Sequence, residues 1–180
     1  MKKVYKWTLI GIFMVVLGIG VAYAGTQRSR GETSSVAEAP KTGYKMPAFT
    51  LKEYPDNKPV STDSLQGKPI FINFWTSWCT YCRLETPDIV KAYQKYGKQV
   101  VFLSVNITSE DSVQAMANFV HQYGMTWPVA LDRSGKVSKE YQVVGIPTSF
   151  FVSRQGIIVA KNVGSLSAGT LNADLKRIAS

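Results

Sequence analysis

Cys79 and Cys82, three positions apart, are the only thiols among 180 residues. A Cys-x-x-Cys pair can exchange a disulfide with another protein or supply half of a tetrahedral metal site. Upstream, Ile70-Phe71-Ile72 and Phe74-Trp75 make an apolar, β-rich run. From Cys79 to about Tyr96 the spacing is that of a helix. Cys79 is therefore expected at a helix N-terminus, where free backbone N–H groups and the helix dipole favour a thiolate. Cys82 lies one turn on and on the same side, positioned to attack a mixed disulfide formed at Cys79. The expectation is an exposed nucleophile at Cys79 and a more buried resolving thiol at Cys82.

Three other readings of the pair stay open at this level. A structural zinc site needs two more ligands, and the single histidine, His121, is 39 positions beyond Cys82 with no second cysteine pair. A structural disulfide fits the spacing as well. A peroxidatic cysteine would suit Thr76, three residues before Cys79, but peroxiredoxins carry a proline where this chain has Ile72.

The elements that must position the pair follow from periodicity and punctuation. Met46–Leu51 alternates as a strand, with Pro47 suited to an edge or strand start. The run from Pro55 to Pro59 is a turn, and Ser61 or Thr62 caps a short helical turn closed by Gly67. Val100–Val105 is nearly all apolar, the pattern of a strand buried on both faces. Ser109 is the expected cap of a helix whose inner face holds Val113, Met116, Ala117 and Val120; His121 borders that face. Trp127–Leu131 is a strand, Lys136–Tyr141 a short helix, and Ser149–Val152 with Ile157–Val163 a hairpin. Ala168–Ala179 ends the chain as an amphipathic helix, and Pro87 should kink the helix after the cysteines. Strands alternating with helices, then a hairpin and a last helix, make an α/β sandwich around a mixed sheet.

Phe74-Trp75-x-x-Trp78-Cys79-x-x-Cys82, then Glu85 and Pro87, then Gly145-Ile146-Pro147-Thr148, resembles the thioredoxin superfamily. Within it the chain is most similar to membrane-anchored, envelope-facing thiol–disulfide oxidoreductases, including the cytochrome-c-maturation reductases. The resemblance runs from about Tyr44 to the C-terminus. It implies a thioredoxin-like three-layer sandwich with an N-terminal strand extension and a central helix–strand insertion near residues 109–131. It also implies a cis peptide at Pro147 facing the disulfide, with Ile146 offering backbone groups to an extended substrate. Asn73 stands where thioredoxins carry a buried Asp, so Glu85, three residues after Cys82, becomes the candidate acid–base group, as in the cytochrome-maturation relatives. The alternative is a solvated Glu85 paired with Arg83 or Lys91. Thr80-Tyr81 matches neither relative's dipeptide, which leaves the direction of electron flow open. Trp75 and Trp78 are expected to frame the site and meet substrate, though core packing suits Trp75 equally well. No metal or organic cofactor is implied beyond the redox-active Cys79–Cys82 disulfide.

Charge and the N-terminus bear on location. Of the net charge of +9, residues 1–43 contribute +4 and residues 44–180 contribute +5. No Lys/Arg cluster with interleaved aromatics appears, which argues against nucleic-acid binding and for a basic surface near an anionic membrane or wall. Residues 1–6 form a cytoplasmic basic flank, and residues 7–24 are uncharged and apolar. As a helix these eighteen residues reach about 27 Å, close to a hydrocarbon core of about 30 Å. Their length favours a retained anchor with the domain on the extracytoplasmic side. Ala22-Tyr23-Ala24 resembles a signal-peptidase site, and cleavage there would instead give a secreted domain. Residues 25–43 read as a flexible linker and residues 44–180 as the catalytic domain. The leading expectation is an envelope reductase acting on disulfides of exported proteins such as apocytochrome c and recycled by a membrane electron donor. An oxidase running the same exchange in reverse is the first alternative. A membrane-tethered copper-binding assembly factor is the second; it would need a third soft or imidazole ligand.

Overall fold

The computed structural model describes residues 36–180, and every structural statement below concerns those residues. The basic flank, the apolar run and linker residues 25–35 lie outside them. Seven strands form one mixed sheet: β1 (Thr50–Tyr54), β2 (Pro59–Ser61), β3 (Ile70–Trp75), β4 (Val101–Asn106), β5 (Val129–Leu131), β6 (Thr148–Val152) and β7 (Ile158–Val163), in the order β2-β1-β5-β4-β3-β6-β7. The helices are α1 (Thr80–Tyr96), α2 (Val113–Tyr123), α3 (Lys136–Glu140) and α4 (Ala168–Ala179), with a 3-10 turn at Thr62–Leu65. β3, β4 and β5 run parallel; β6 is antiparallel to β3, β7 to β6, and β1 to both β5 and β2. The expected sandwich, strand extension and insertion are all present: β1–β2 is the extension, and α2–β5 is the insertion that receives it.

Every residue of β3 is buried, because the sheet is covered on both sides. Odd-numbered Phe71 and Trp75 face one core with Ile89, Ala92 and Tyr96 of α1, Met116 and Phe119 of α2, and Leu171, Leu175 and Ile178 of α4. Even-numbered Ile70, Ile72 and Phe74 face the other, with Met46, Phe49, Val137 of α3 and Tyr141. The alternation of a strand thus sorts adjacent residues between two cores. Rings dominate the second core, where Tyr141 meets Phe49, Phe74 and Phe150 at centroid distances of 5.5, 5.2 and 5.2 Å.

Several boundaries differ from the sequence reading. α2 is capped by Ser112, whose side chain accepts from the Ala115 N–H, and not by Ser109. Ser109 instead donates its backbone N–H to Asp132 O. The segment after the Pro55 turn pairs with β1 as β2, so a strand stands where only a turn was expected. The first strand begins at Thr50, four residues later than predicted. Residues 36–43, assigned to the linker, are bonded to the domain. Gly43 N–H donates to Ile158 O and Lys45 N–H to Ala37 O, and Pro40 is buried. Low aromatic content made this stretch read as tether, but its backbone groups find partners on the β7 edge.

Candidate active site

β3 ends at Trp75, three turn residues follow, and α1 starts at Thr80, so Cys79 is the N-cap. Its backbone is extended and its Sγ accepts from the Cys82 N–H at 3.1 Å. Cys79 and Cys82 are joined in a disulfide with Cα atoms 5.3 Å apart. A sulfur at this place meets the unsatisfied first-turn amides, which favour negative charge on it once the bond is reduced. The two sulfurs sit where the sequence put them, with one correction. Cys79 is 4% exposed and Cys82 1%. Cys82 is the more buried, but Cys79 is not an exposed residue. Its Sγ lies 3.7 Å from the Ile146 carbonyl oxygen, and this neighbouring loop takes up space that solvent would otherwise fill.

That contact brings the second motif to the first across 67 residues. The Ile146–Pro147 peptide is cis, Pro147 is buried, and Thr148 Oγ1 closes the turn by donating to Gly145 O at 2.6 Å. Ile146 is half-buried, and it lines a groove of about 540 Å³ with Trp78, Glu110, Lys139, Val143 and Val144.

Glu85 is 2% exposed and points into the protein. Its Oε1 accepts from Asn73 Nδ2 at 3.0 Å and its Oε2 from the Leu166 N–H at 2.8 Å. Burial pushes its carboxyl up to about 7, against the opposing pull of the Leu166 and Asn73 hydrogen bonds. Pairing with Arg83 or Lys91, the solvated alternative, does not occur. Arg83 donates Nε and Nη2 to Ser77 O at 2.9 and 2.8 Å, and Lys91 pairs with Asp88. Asn73 does not titrate, but it orients the acid that does, and it also donates to Ser149 Oγ at 3.0 Å.

The two tryptophans part company. Trp78 is 55% exposed at the mouth of the groove, its Nε1 donating to Glu110 O at 2.9 Å. Trp75, expected to face substrate, is a core residue at 2% exposure, its ring 4.5 Å from that of Phe119. Its odd register in β3 turns it inward beneath the disulfide, beside Cys79 and Cys82 in the same core.

One site residue was missed from the sequence. Asp111, in the loop before α2, accepts from Ser77 N–H and Ser77 Oγ, both at 2.6 Å, and from Asn106 Nδ2 at 2.8 Å. It also accepts from the Ser112 N–H at 2.9 Å. With Arg83 on the Ser77 carbonyl, this carboxylate fixes the turn that presents Cys79. The only sequence signal was an Asp next to a helix cap, and its partner lies 34 residues away.

Comparison with known proteins agrees with this geometry. Residues 41–177 match the Redoxin family. A thiol-disulfide oxidoreductase ResA from Bacillus thuringiensis (strain Al Hakam) is 33% identical over 141 residues, 78% of this chain and 80% of that protein. Sporulation thiol-disulfide oxidoreductase A from Bacillus subtilis is 28% identical over 165 residues, 91% of this chain and 93% of its own. The crystal structure of StoA from Bacillus subtilis superposes with a TM-score of 0.63 at 28% identity, covering 71% of this chain and 96% of that one. This chain belongs to the Redoxin family and is a thiol–disulfide oxidoreductase of the thioredoxin superfamily.

Proposed function

We propose that the protein reduces disulfides of exported proteins, apocytochrome c among them, from an N-terminal membrane anchor on the extracytoplasmic side. The single observation that carries the reductive direction is the makeup of the sulfur site. No side-chain cation bonds to Cys79 Sγ, since Arg83 is committed to Ser77 O, and the nearby buried ionisable group is the acid Glu85. Only the helix N-terminus and the Cys82 amide favour a Cys79 thiolate. A dithiol whose thiolate is little stabilised is a better electron donor than an oxidase, whose reduced form is the stabilised one.

In the reductive cycle the Cys79 thiolate attacks one sulfur of a substrate disulfide. A Cys79–substrate S–S bond forms, and the other substrate sulfur leaves as a thiolate that takes up a proton. Glu85, near neutrality in its proton affinity, accepts the Cys82 proton. Cys82 then attacks Cys79 Sγ, the mixed disulfide breaks, and the second substrate sulfur leaves. Two electrons have passed to the substrate, and the protein holds the Cys79–Cys82 disulfide seen here. A membrane dithiol donor must restore the thiols. Trp78, Tyr81, Leu84 and Val144 are exposed apolar side chains that suit an unfolded, extended polypeptide, with the Ile146 backbone available to pair with it.

Redox potential of the full chain, by equilibration with thiol buffers, tests the direction. A value at or below about −250 mV, near that of reducing thioredoxins, is expected. A value near about −120 mV would assign the oxidase instead. Separately, Cys82→Ser should accumulate mixed disulfides with exported proteins; accumulation by Cys79→Ser instead would reverse the two roles.

A further inference from the structure

The strand register divides the domain into two unlike ends. At one, Trp75 pairs with Asn106 and Phe74 with Thr148, next to the disulfide. At the other, Ile70 pairs with Val101 and Val152. Six residues of β3 separate them by about 17 Å. Lys68 precedes β3 at this second end, Lys98 precedes β4, and Arg154 follows β6. Arg154 Nη2 donates to Ala179 O at 3.4 Å, which brings the last turn of α4, with Lys176 and Arg177, to the same place. Lys45 joins them through its bridge to Ile157, and it lines one pocket with Lys68 and Arg154.

All six side chains are exposed. The acids nearby are Glu38, already paired with Lys45 at 3.1 Å, Asp63 in the same pocket, and Asp174, three residues before Arg177 in α4; Asp56, at the β1–β2 tip, is paired with Lys58. Among the described residues, five of the seven exposed large apolar side chains are at the opposite end, Trp78, Tyr81, Leu84, Val144 and Val163, while Val36 and Tyr44 lie on the segment beside Lys45. The chain also enters the domain at the cationic end, where Lys45 N–H donates to Ala37 O and Met46 N–H to Gly156 O.

We propose that this cationic end docks on an anionic lipid bilayer and holds the disulfide on the side turned away from it. The occupant follows from charge complementarity and from where the chain arrives: the uncharged run 7–24 precedes a segment bonded into this end. Docking is electrostatic and screened over a Debye length of about 8 Å, so it is reversible. The docked state offers the apolar rim and the sulfurs to exported polypeptides, and undocking frees the domain to reach a membrane donor. This inference rests on the anchor proposed above.

The test uses the full chain in lipid nanodiscs, either neutral phosphatidylcholine or containing phosphatidylglycerol, read by backbone hydrogen exchange. Exchange at Gly67–Lys68 and Arg154–Gly156 should slow at least about fivefold in the anionic discs, the factor that one cation at such a surface supplies. High salt should reverse it, and so should Lys68→Glu with Lys98→Glu and Arg154→Glu, while exchange with a soluble disulfide substrate stays unchanged. Should that triple variant misfold, the salt arm on the unaltered chain still decides. Equal exchange in the two discs, or protection around Trp78–Leu84, would overturn the proposal. Equal protection by soluble polyphosphate without discs would also overturn it, in favour of a general polyanion site. Failure of the chain to stay with neutral discs would sink the anchor alone, because anionic discs still report on the cationic end.

Discussion

At Glu85 two requirements pull against each other. Two N–H donors hold the carboxylate in place, while burial penalises its charge, and burial prevails by raising the carboxyl from 4.5 to about 7. The folded pKa lies above the unfolded one, so the native state binds the extra proton between about pH 4.5 and 7. Stability is therefore full below that window and falls as pH rises through it, by about 3 kcal/mol in all. Glu85→Gln should remove this slope: urea titrations at pH 5 and pH 8 should show wild type losing about 2–3 kcal/mol more than the variant. Parallel losses in the two proteins would place the titration elsewhere. The same substitution should erase an ionisation near pH 7 from the rate of disulfide exchange, and an unaltered pH–rate profile would make water the proton carrier.

Scaled up to elements, the site depends on the turn between β3 and α1 and on what grips it. Asp111 supplies charge-assisted bonds to two groups of that turn and one at the end of β4, and its loss would leave the Ser77 N–H, Ser77 Oγ and Asn106 Nδ2 unpaired. Asp111→Ala should cost about 2–4 kcal/mol in denaturant unfolding and speed proteolysis at the turn. A change below about 0.5 kcal/mol would mean that solvent replaces the carboxylate. Ser112→Ala, which removes only the α2 cap, should cost about 1 kcal/mol. These elements also show what a sequence conveys. The Cys-x-x-Cys at a strand–helix junction, the Glu85 phase and the Ile146–Pro147 segment were legible because each is local or carried by a motif. Asp111 was not, since its partner is 34 residues away and only the insertion's fold brings them together. For Trp75 framing the site and core packing were both open, and the structure puts it in the core beneath the disulfide, because β3 is buried on both faces. Ser109 and Ser112 are equally good caps by type, and tertiary bonding to Asp132 takes the first away.

For the whole molecule, the sheet keeps two cores apart, and only one touches the sulfurs. Tyr141 centres the other core and donates its hydroxyl to Pro47 O at 2.6 Å, fastening the N-terminal segment 94 residues away. Tyr141→Phe keeps the ring contacts and leaves a buried carbonyl short of its donor, so it should lower stability by about 1–2 kcal/mol with the redox potential unchanged. A shifted potential would show the two cores to be coupled. Glu85 does the opposite and ties a distant part to the helix that carries Cys82, since its Oε2 receives the Leu166 amide from the loop before α4, 81 residues along the chain. That amide proton lies on the very oxygen whose charge changes. In a ¹⁵N-labelled sample its chemical shift should follow Glu85 through a single titration near pH 7. Recorded on oxidised and reduced protein in turn, one cross-peak would report how far breaking the disulfide displaces the proton affinity of Glu85.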